Sequence, residues 1–132
     1  MKKLIFLFIS VFLFAQNLNW YSDYQKAFNV AKKEHKLVMV DISKHDCPPC
    51  DFMKQNVMSG KEVKDILLKN FVLVDYYADT DNIPEKFRKH FFNFTPAIQF
   101  YTADGKFIRG VYGATSYENF LSVLKQIVKG NR

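Results

Sequence analysis

The two cysteines of the chain, Cys47 and Cys50, are spaced so that their sulfur atoms can react with each other. They are the only cysteines in the 132 residues, and Pro48 and Pro49 lie between them. A C-x-x-C pair suits three kinds of chemistry: a reactive dithiol, a short structural disulfide, or half of a metal site. The residues around the pair favour the first of these.

A structural disulfide would stabilise the fold little at this spacing. In the loop-entropy model a four-residue loop gives roughly 2 kcal/mol, against roughly 3 kcal/mol for fifteen residues. A metal would need two further ligands, but the three histidines are dispersed and there is no second C-x-x-C. Cu(I) held by Cys47, Cys50 and Met53 or Met58 is the remaining metal alternative, and both methionines equally fit a helix core. We expect no metal, and no cofactor beyond the redox-active disulfide.

Cys47 is the expected nucleophile because it stands at the start of a helix. Prolines in the first helical turn cost no hydrogen bond, and the free N–H groups there favour a thiolate. Cys50 is then placed to attack the mixed disulfide and release the product. Asp46 and Asp51 flank the pair and oppose ionisation, so the net acidity of Cys47 does not follow from the sequence.

Asp41 is the third candidate for a catalytic role. It stands six residues before Cys47 inside LVMVDI, residues 37–42, an apolar run typical of a strand buried on both faces. A buried carboxyl has a raised pKa and can accept a proton near neutral pH. The alternative is that Asp41 faces solvent or caps the next turn. His45 would stabilise a thiolate when protonated, or is simply an exposed loop residue.

Helical and extended patterns alternate along the rest of the chain. Strands are predicted at 37–42, 71–77, 97–102 and 106–112. Five helices are predicted: one begins at Ser22 or Asp23, one follows the cysteines, one begins at Ser59, one runs from Asp81 or Asn82 to His90, and one begins at the capping box at 115–118. This alternation implies a parallel pair of strands, and the closing hairpin adds antiparallel ones. We therefore predict an α/β fold with a mixed four-stranded sheet and helices on both faces.

The first fifteen residues differ from this pattern. Two lysines precede an apolar run from Leu4 to Phe14, and Ala15 follows. That order is typical of a secretory signal peptide, and the run is shorter than the roughly 20 residues of a membrane span. We predict a signal peptide at 1–15 and one exported, periplasmic domain at 16–132; an uncleaved N-terminal anchor is the alternative.

The charges of the exported segment do not indicate a nucleic-acid partner. Without Lys2 and Lys3, 17 Lys and Arg stand against 13 Asp and Glu, a net charge of +4. Basic and acidic residues are interleaved, which is typical of solvated helix faces. Outside the cytoplasm a disulfide between the cysteines can also persist.

The segment VDISKHDCPPC resembles the thioredoxin family. Asp41, Cys47, Pro49 and Cys50 fall on that family's pattern of a strand ending in a buried Asp, five residues and C-x-P-C. The resemblance continues downstream and spans Trp20 to Val128. It implies a thioredoxin-like fold and disulfide exchange through the two cysteines.

Thr95-Pro96 resembles the cis-proline of the same family, which lies against the cysteines and offers backbone to an extended substrate. GATSYENFL, residues 113–121, resembles the family's glycine and the entry to its last helix. By this resemblance we assign substrate binding to Thr95 and Pro96, together with Pro48 and Pro49.

Residues 51–67, DFMKQNVMSGKEVKDIL, resemble an exported thioredoxin-like subfamily that includes the C-terminal domain of the membrane thiol:disulfide interchange protein. The resemblance implies a reductase that serves exported cysteine-containing proteins and is itself reduced by a membrane or periplasmic thiol donor. Oxidase and isomerase are the alternatives within the enzyme class. The competing class is a non-catalytic thioredoxin-fold module that binds a partner, or a Cu(I) carrier.

Several residues depart from the family pattern: Gln55 stands where a proline usually kinks the helix, and prolines fill both positions between the cysteines. Asp46 stands where a tryptophan usually precedes the first cysteine, and Phe94 replaces a glycine two residues before the cis-proline. The lysine that neighbours the buried acid in thioredoxin aligns with Asp75, so we expect Asp41 to lack a cation and to face a second acid.

Overall fold

The computed structural model describes residues 17–132, so the predicted signal peptide lies outside the described residues. The strands are β1 (Trp20–Tyr21), β2 (Leu37–Ser43), β3 (Phe71–Tyr77), β4 (Ala97–Tyr101) and β5 (Phe107–Tyr112). The helices are α1 (Tyr24–Glu34), α2 (Pro48–Phe52), α3 (Lys61–Asn70), α4 (Glu85–Arg88) and α5 (Tyr117–Gly130), and a π-helical turn over Met53–Val57 continues α2. Among the described residues no helix is long and apolar enough to cross a bilayer.

One mixed sheet holds all five strands in the order β1-β3-β2-β4-β5. β2 pairs in parallel with β3, and β4 and β5 add the antiparallel hairpin, which confirms the predicted arrangement. The predicted number of four strands is wrong, because β1 adds a fifth at the edge beside β3. Two residues are too few to show the alternation of side chains by which a strand is recognised.

Helices cover both faces of the sheet, as predicted. α1 and α4 pack on one face through Phe28 and Phe87. α3, α5 and the π-helical turn pack on the other face, where Met53 and Phe120 are fully buried. Because β2 lies in the middle of the sheet, alternate β2 residues pack into both layers.

The helix starts follow local capping. The Asp23 carboxylate accepts hydrogen bonds from the backbone N–H groups of the first turn of α1, as predicted. At α5 the N-cap is Ser116 and not Thr115, and the Ser116 hydroxyl accepts from the N–H of Asn119. The predicted capping box is therefore wrong by one residue. α3 begins after Gly60 and not at Ser59, and α4 ends at Arg88, before the predicted His90.

Candidate active site

Cys47 and Cys50 form a disulfide at the start of α2. β2 ends at Ser43, a short turn follows, and Cys47 is the N-cap residue of the helix, with proline in its first turn. Pro48 and Pro49 are exposed, whereas Cys47 is only 7% exposed and Cys50 is buried more deeply. Cys47 is thus the sulfur that a partner molecule reaches first.

The Thr95–Pro96 segment lies against Cys47. Its peptide bond is cis, and the Oγ1 atom of Thr95 is 3.7 Å from the Sγ atom of Cys47. The Pro96 carbonyl accepts a hydrogen bond of 2.8 Å from the N–H of Gly113. Residues almost 50 positions apart are therefore brought to one site, as the resemblance implies.

Asp41 is buried and does not face solvent, since it is only 1% exposed. It lies on β2 directly beside Asp75 of β3, and the Ser43 hydroxyl donates to its Oδ1 atom at 3.4 Å. Burial raises the pKa of Asp41 to about 6, a positive charge at Lys54 works against that rise, and the Asp75 charge adds to it. Such a carboxyl can exchange a proton near neutral pH.

Lys54 supplies the cation that Asp41 was expected to lack, so that expectation is wrong. The Nζ atom of Lys54 is 4.0 Å from the Oδ2 atom of Asp41 and 3.3 Å from the Oδ2 atom of Asp75. The expected second acid is present, but a lysine from the helix lies between the two carboxylates. The sequence signal was its spacing: Lys54 stands four residues after Cys50, one helical turn away on the same face.

Aromatic rings complete the surroundings of the Lys54 ammonium. It lies 4.9 Å from the ring centroid of Trp20 and 5.3 Å from that of Tyr77, within the range of cation–π attraction. Burial lowers the pKa of Lys54, but the charges of Asp41 and Asp75 outweigh that effect and raise it. The lysine is therefore positively charged at neutral pH.

The His45 side chain is bonded to Asp79 and stacked on Tyr77. Its Nδ1 atom is 3.1 Å from the Asp79 carboxylate, its backbone N–H donates to the same carboxylate, and its ring stacks on Tyr77 with centroids 4.3 Å apart. The side chain is exposed. The structure thus supports the loop-residue alternative, with His45 tying the turn before Cys47 to the end of β3.

The two methionines considered as copper ligands belong to the core. Met53 and Met58 are fully buried, and the sulfur of Met53 is 3.4 Å from the backbone nitrogen of Thr115. Within residues 17–132, no three or more His, Cys, Asp or Glu side chains are grouped to hold a metal ion.

The geometry agrees with comparisons to known proteins. A model of the thioredoxin-like domain family matches residues 24–127. The solution structure of a thioredoxin from Thermus thermophilus is 27% identical, with a TM-score of 0.74 over 86% of this chain and 88% of that one. The oxidised C-terminal domain of DsbD from Neisseria meningitidis is 18% identical, with a TM-score of 0.65 over 86% of this chain and 100% of that one. The latter similarity concerns the fold alone.

One curated relative matches a shorter stretch. Spermatogenesis-associated protein 20 of Rattus norvegicus is 33% identical over 57 residues, which are 43% of this chain and 7% of that protein. The chain therefore spans only a small part of that relative's length.

Proposed function

Since the chain belongs to the thioredoxin-like family of thiol:disulfide oxidoreductases, we propose that it is an exported reductase of disulfides in exported proteins. The observation that carries the proposal is the Cys47–Cys50 disulfide at a helix start. Thr95 lies beside Cys47, and the buried Asp41 has a pKa of about 6. In this proposal Cys47 is the nucleophile, Cys50 is the resolving thiol and Asp41 is the proton acceptor.

In the first step the Cys47 thiolate attacks one sulfur of a substrate disulfide. The substrate S–S bond breaks, the other substrate sulfur leaves as a thiolate that takes up a proton, and a mixed disulfide with Cys47 forms. The exposed Pro48 and Pro49 and the Thr95–Pro96 segment flank Cys47, so we assign substrate contact to them.

In the second step Cys50 resolves the mixed disulfide. Asp41 accepts the Cys50 thiol proton, and the resulting thiolate attacks the sulfur of Cys47 and expels the second substrate thiolate. Two electrons have then passed from the dithiol to the substrate, and the Cys47–Cys50 disulfide is the oxidised product. A dithiol protein of the membrane or periplasm returns the pair to the reduced form by the reverse exchange.

The charges around the pair favour the reducing direction. Asp46 and Asp51 are exposed on either side of the dithiol, and negative charge there disfavours the Cys47 thiolate. A couple whose reduced form is less stabilised is the more reducing one. The proposal of export is supported by the apolar run at residues 4–14, and fractionation of cells that express the full chain would test it.

The experiment that tests the direction is the equilibrium of the Cys47–Cys50 couple with glutathione or dithiothreitol buffers. We expect a potential near that of thioredoxin, about −270 mV. A value near −120 mV would identify an oxidant and contradict the proposal.

Trapping separates exchange from mere binding. A Cys50→Ser variant is expected to accumulate mixed disulfides with exported proteins, whereas Cys47→Ser accumulates none because it lacks the nucleophile. If neither variant forms mixed disulfides, the chain is a non-catalytic binding module. Stoichiometric Cu(I) binding that requires both cysteines would identify a carrier instead.

A further inference from the structure

Basic side chains collect at the end of the domain opposite the dithiol. α1 and α3 end where the parallel strands β2 and β3 begin, and the end of α5 lies beside them. The last turns of these three helices carry Lys32, Lys69 and Lys129, and Arg132 follows α5. All four side chains are exposed, and we call this group of four the basic end.

Two adjoining cavities open between these helix ends. Their volumes are about 560 and 490 Å³, and the four residues of the basic end line them. Asn70 and Val128 line both cavities, so the two form one surface. Lys36 lines the first cavity as well, but its ammonium group donates to the carbonyl of Leu68 at 3.1 Å and pairs with Glu34 at 3.3 Å.

The positive charge of the basic end is largely unopposed. Within residues 17–132, no ion pair includes any of its four members. Asp104 lines the first cavity and Asp65 the second, and Asp65 is paired with Lys61 at 3.5 Å. A basic residue in the last turn also stabilises its own helix by opposing the helix dipole. That effect does not require three helix ends to meet on one surface, so it leaves the grouping unexplained.

The dithiol end carries the opposite charge. Exposed aspartates lie at that edge of the sheet, where Ser43 of β2 is beside Tyr77 of β3; they are Asp46, Asp51, Asp79 and Asp81, with Lys44 as a basic neighbour. The seven residues of β2 separate the two ends, a distance of roughly 20 Å. The domain therefore has a charge asymmetry whose positive end points away from the cysteines.

The chain enters the fold at the basic end. β1 runs parallel to β3 with Trp20 beside Leu73, so the residues just before Trp20 lie toward the start of β3. Leu18 packs on the same core layer as Val128, which lines both cavities. In the sequence, the apolar run at residues 4–14 precedes this point. A bilayer that takes up that run during export, or retains it as an anchor, is therefore next to the basic end.

We propose that the basic end binds the surface of a bilayer that contains anionic phospholipid, with the dithiol facing away from it. Lysine and arginine side chains are attracted to negatively charged headgroups, and the cavities between the helix ends admit headgroup phosphates. The same surface repels the aspartates of the dithiol end, so charge fixes the orientation as well as the attachment. An acidic protein would match the charge equally but would not account for the entry of the chain at this end. The proposal goes beyond the exchange function and does not depend on it.

The test is sedimentation with vesicles of phosphatidylcholine, with and without phosphatidylglycerol. The protein is the exported form, residues 16–132, which contains all five strands and both core layers and lacks the apolar run. We expect binding only to vesicles that contain phosphatidylglycerol. Binding should be strong at about 0.1 M salt and lost at about 1 M salt, where the Debye length falls from roughly 10 Å to roughly 3 Å.

A triple variant removes three charges of the basic end: Lys32→Gln, Lys69→Gln and Lys129→Gln. Its partition coefficient should fall by about fivefold for each lysine, hence by roughly a hundredfold. The matched control removes three charges from exposed residues that line neither cavity: Lys26→Gln, Lys89→Gln and Arg109→Gln. Because these charges lie away from the bilayer, the control should bind nearly as well as the wild type.

The orientation is tested by the rate at which the reduced dithiol reacts with oxidised glutathione. Saturating phosphatidylglycerol vesicles should leave this rate unchanged, since the cysteines face the water. The triple variant should keep the wild-type rate in solution, which shows that it is folded. A dithiol protected by the vesicles would place the bilayer at the wrong end and overturn the proposal. A dithiol that never reacts, in a protein that still binds the vesicles, would contradict only the proposed exchange function.

Four further results would overturn the proposal: no binding, equal binding to both kinds of vesicle, an equal loss in the control variant, or binding to soluble polyglutamate without binding to vesicles. The last of these would assign the basic end to an acidic protein. Displacement from the vesicles by glycerol phosphate at matched ionic strength would assign the cavities to a free phosphate ester and contradict the proposal as well.

Discussion

Replacing Lys54 by methionine is expected to raise the pKa of Asp41 above its value of about 6. The change keeps the length of the side chain and removes the positive charge 4.0 Å from the Asp41 carboxylate. At that distance two unit charges interact by about 1 kcal/mol in water and about 4 kcal/mol at an effective dielectric constant near 20. Since one pKa unit is about 1.4 kcal/mol, the expected rise is about 1 to 3 units.

The rise changes the protonation of Asp41 under working conditions. With a pKa of about 6, roughly nine-tenths of the carboxyl is ionised at pH 7 and can accept the Cys50 proton. In Lys54→Met the ionised fraction falls to half or less, so resolution of the mixed disulfide slows at pH 7 and recovers as the pH is raised. In the same variant the negative charge of Asp75 is no longer paired with Lys54, and this charge adds to the rise in the pKa of Asp41.

The assay is a pH titration of the Asp41 carboxyl carbon by ¹³C NMR, paired with the pH profile of mixed-disulfide resolution. Lys54→Arg keeps the charge and should keep a midpoint near 6. Lys61→Met is the matched control, because Lys61 is an exposed lysine whose ion pair is with Asp65. An unchanged or lower midpoint in Lys54→Met would refute the assignment of Lys54 as the counter-charge.

Three further substitutions test the fold and its pH dependence by urea unfolding. Asp41→Asn should stabilise the domain by up to about 3 kcal/mol at pH 7 and hardly at pH 4. The folded-state pKa of Asp41 is raised from 3.8 to about 6, so ionisation of this carboxyl makes the wild-type domain less stable as the pH rises through that window. Equal effects of the substitution at both pH values would contradict this reasoning. Ser116→Ala should cost about 1 kcal/mol as loss of the α5 N-cap, and a larger loss in Thr115→Ala would contradict the assignment of the cap. Gly60→Ala should cost about 1 to 3 kcal/mol, because its Cβ would overlap the ring of Tyr117; a neutral result would mean that the ring moves aside freely.

The elements of this fold that are buried on both faces were predictable from the sequence. Residues 37–42 and 71–77 are nearly uninterrupted apolar runs, and the structure has strands at Leu37–Ser43 and Phe71–Tyr77. A strand in the middle of a sheet leaves this signal because both of its faces exclude polar side chains. β1 has no such signal in the sequence, because its two residues at the edge of the sheet become a strand only by pairing with β3.

The candidate site was predictable where its residues lie close to a recognisable pattern. Asp41 and the cysteines fall within ten positions of one another, and the Thr95–Pro96 segment was found through a family resemblance. Lys54 and Trp20 were missed because their roles arise from tertiary contacts between separate elements. The exposure of Phe92 and Phe94 was missed for a related reason: a sequence shows that both residues are apolar but does not show that they are exposed.

The placement of Lys54 follows from the register of the parallel strands. Pairing of β2 with β3 sets Asp41 directly beside Asp75, and neighbouring strands lie only about 5 Å apart. At that spacing the negative charge of Asp75 raises the pKa of the buried Asp41, and a cation between the two carboxylates works against that rise. The helix that begins at Cys47 passes over this position, and one turn after Cys50 it presents Lys54. The acid proposed to accept the Cys50 proton is therefore coupled electrostatically to Lys54, one turn after Cys50, so a substitution of Lys54 acts on Asp41 without touching either thiol.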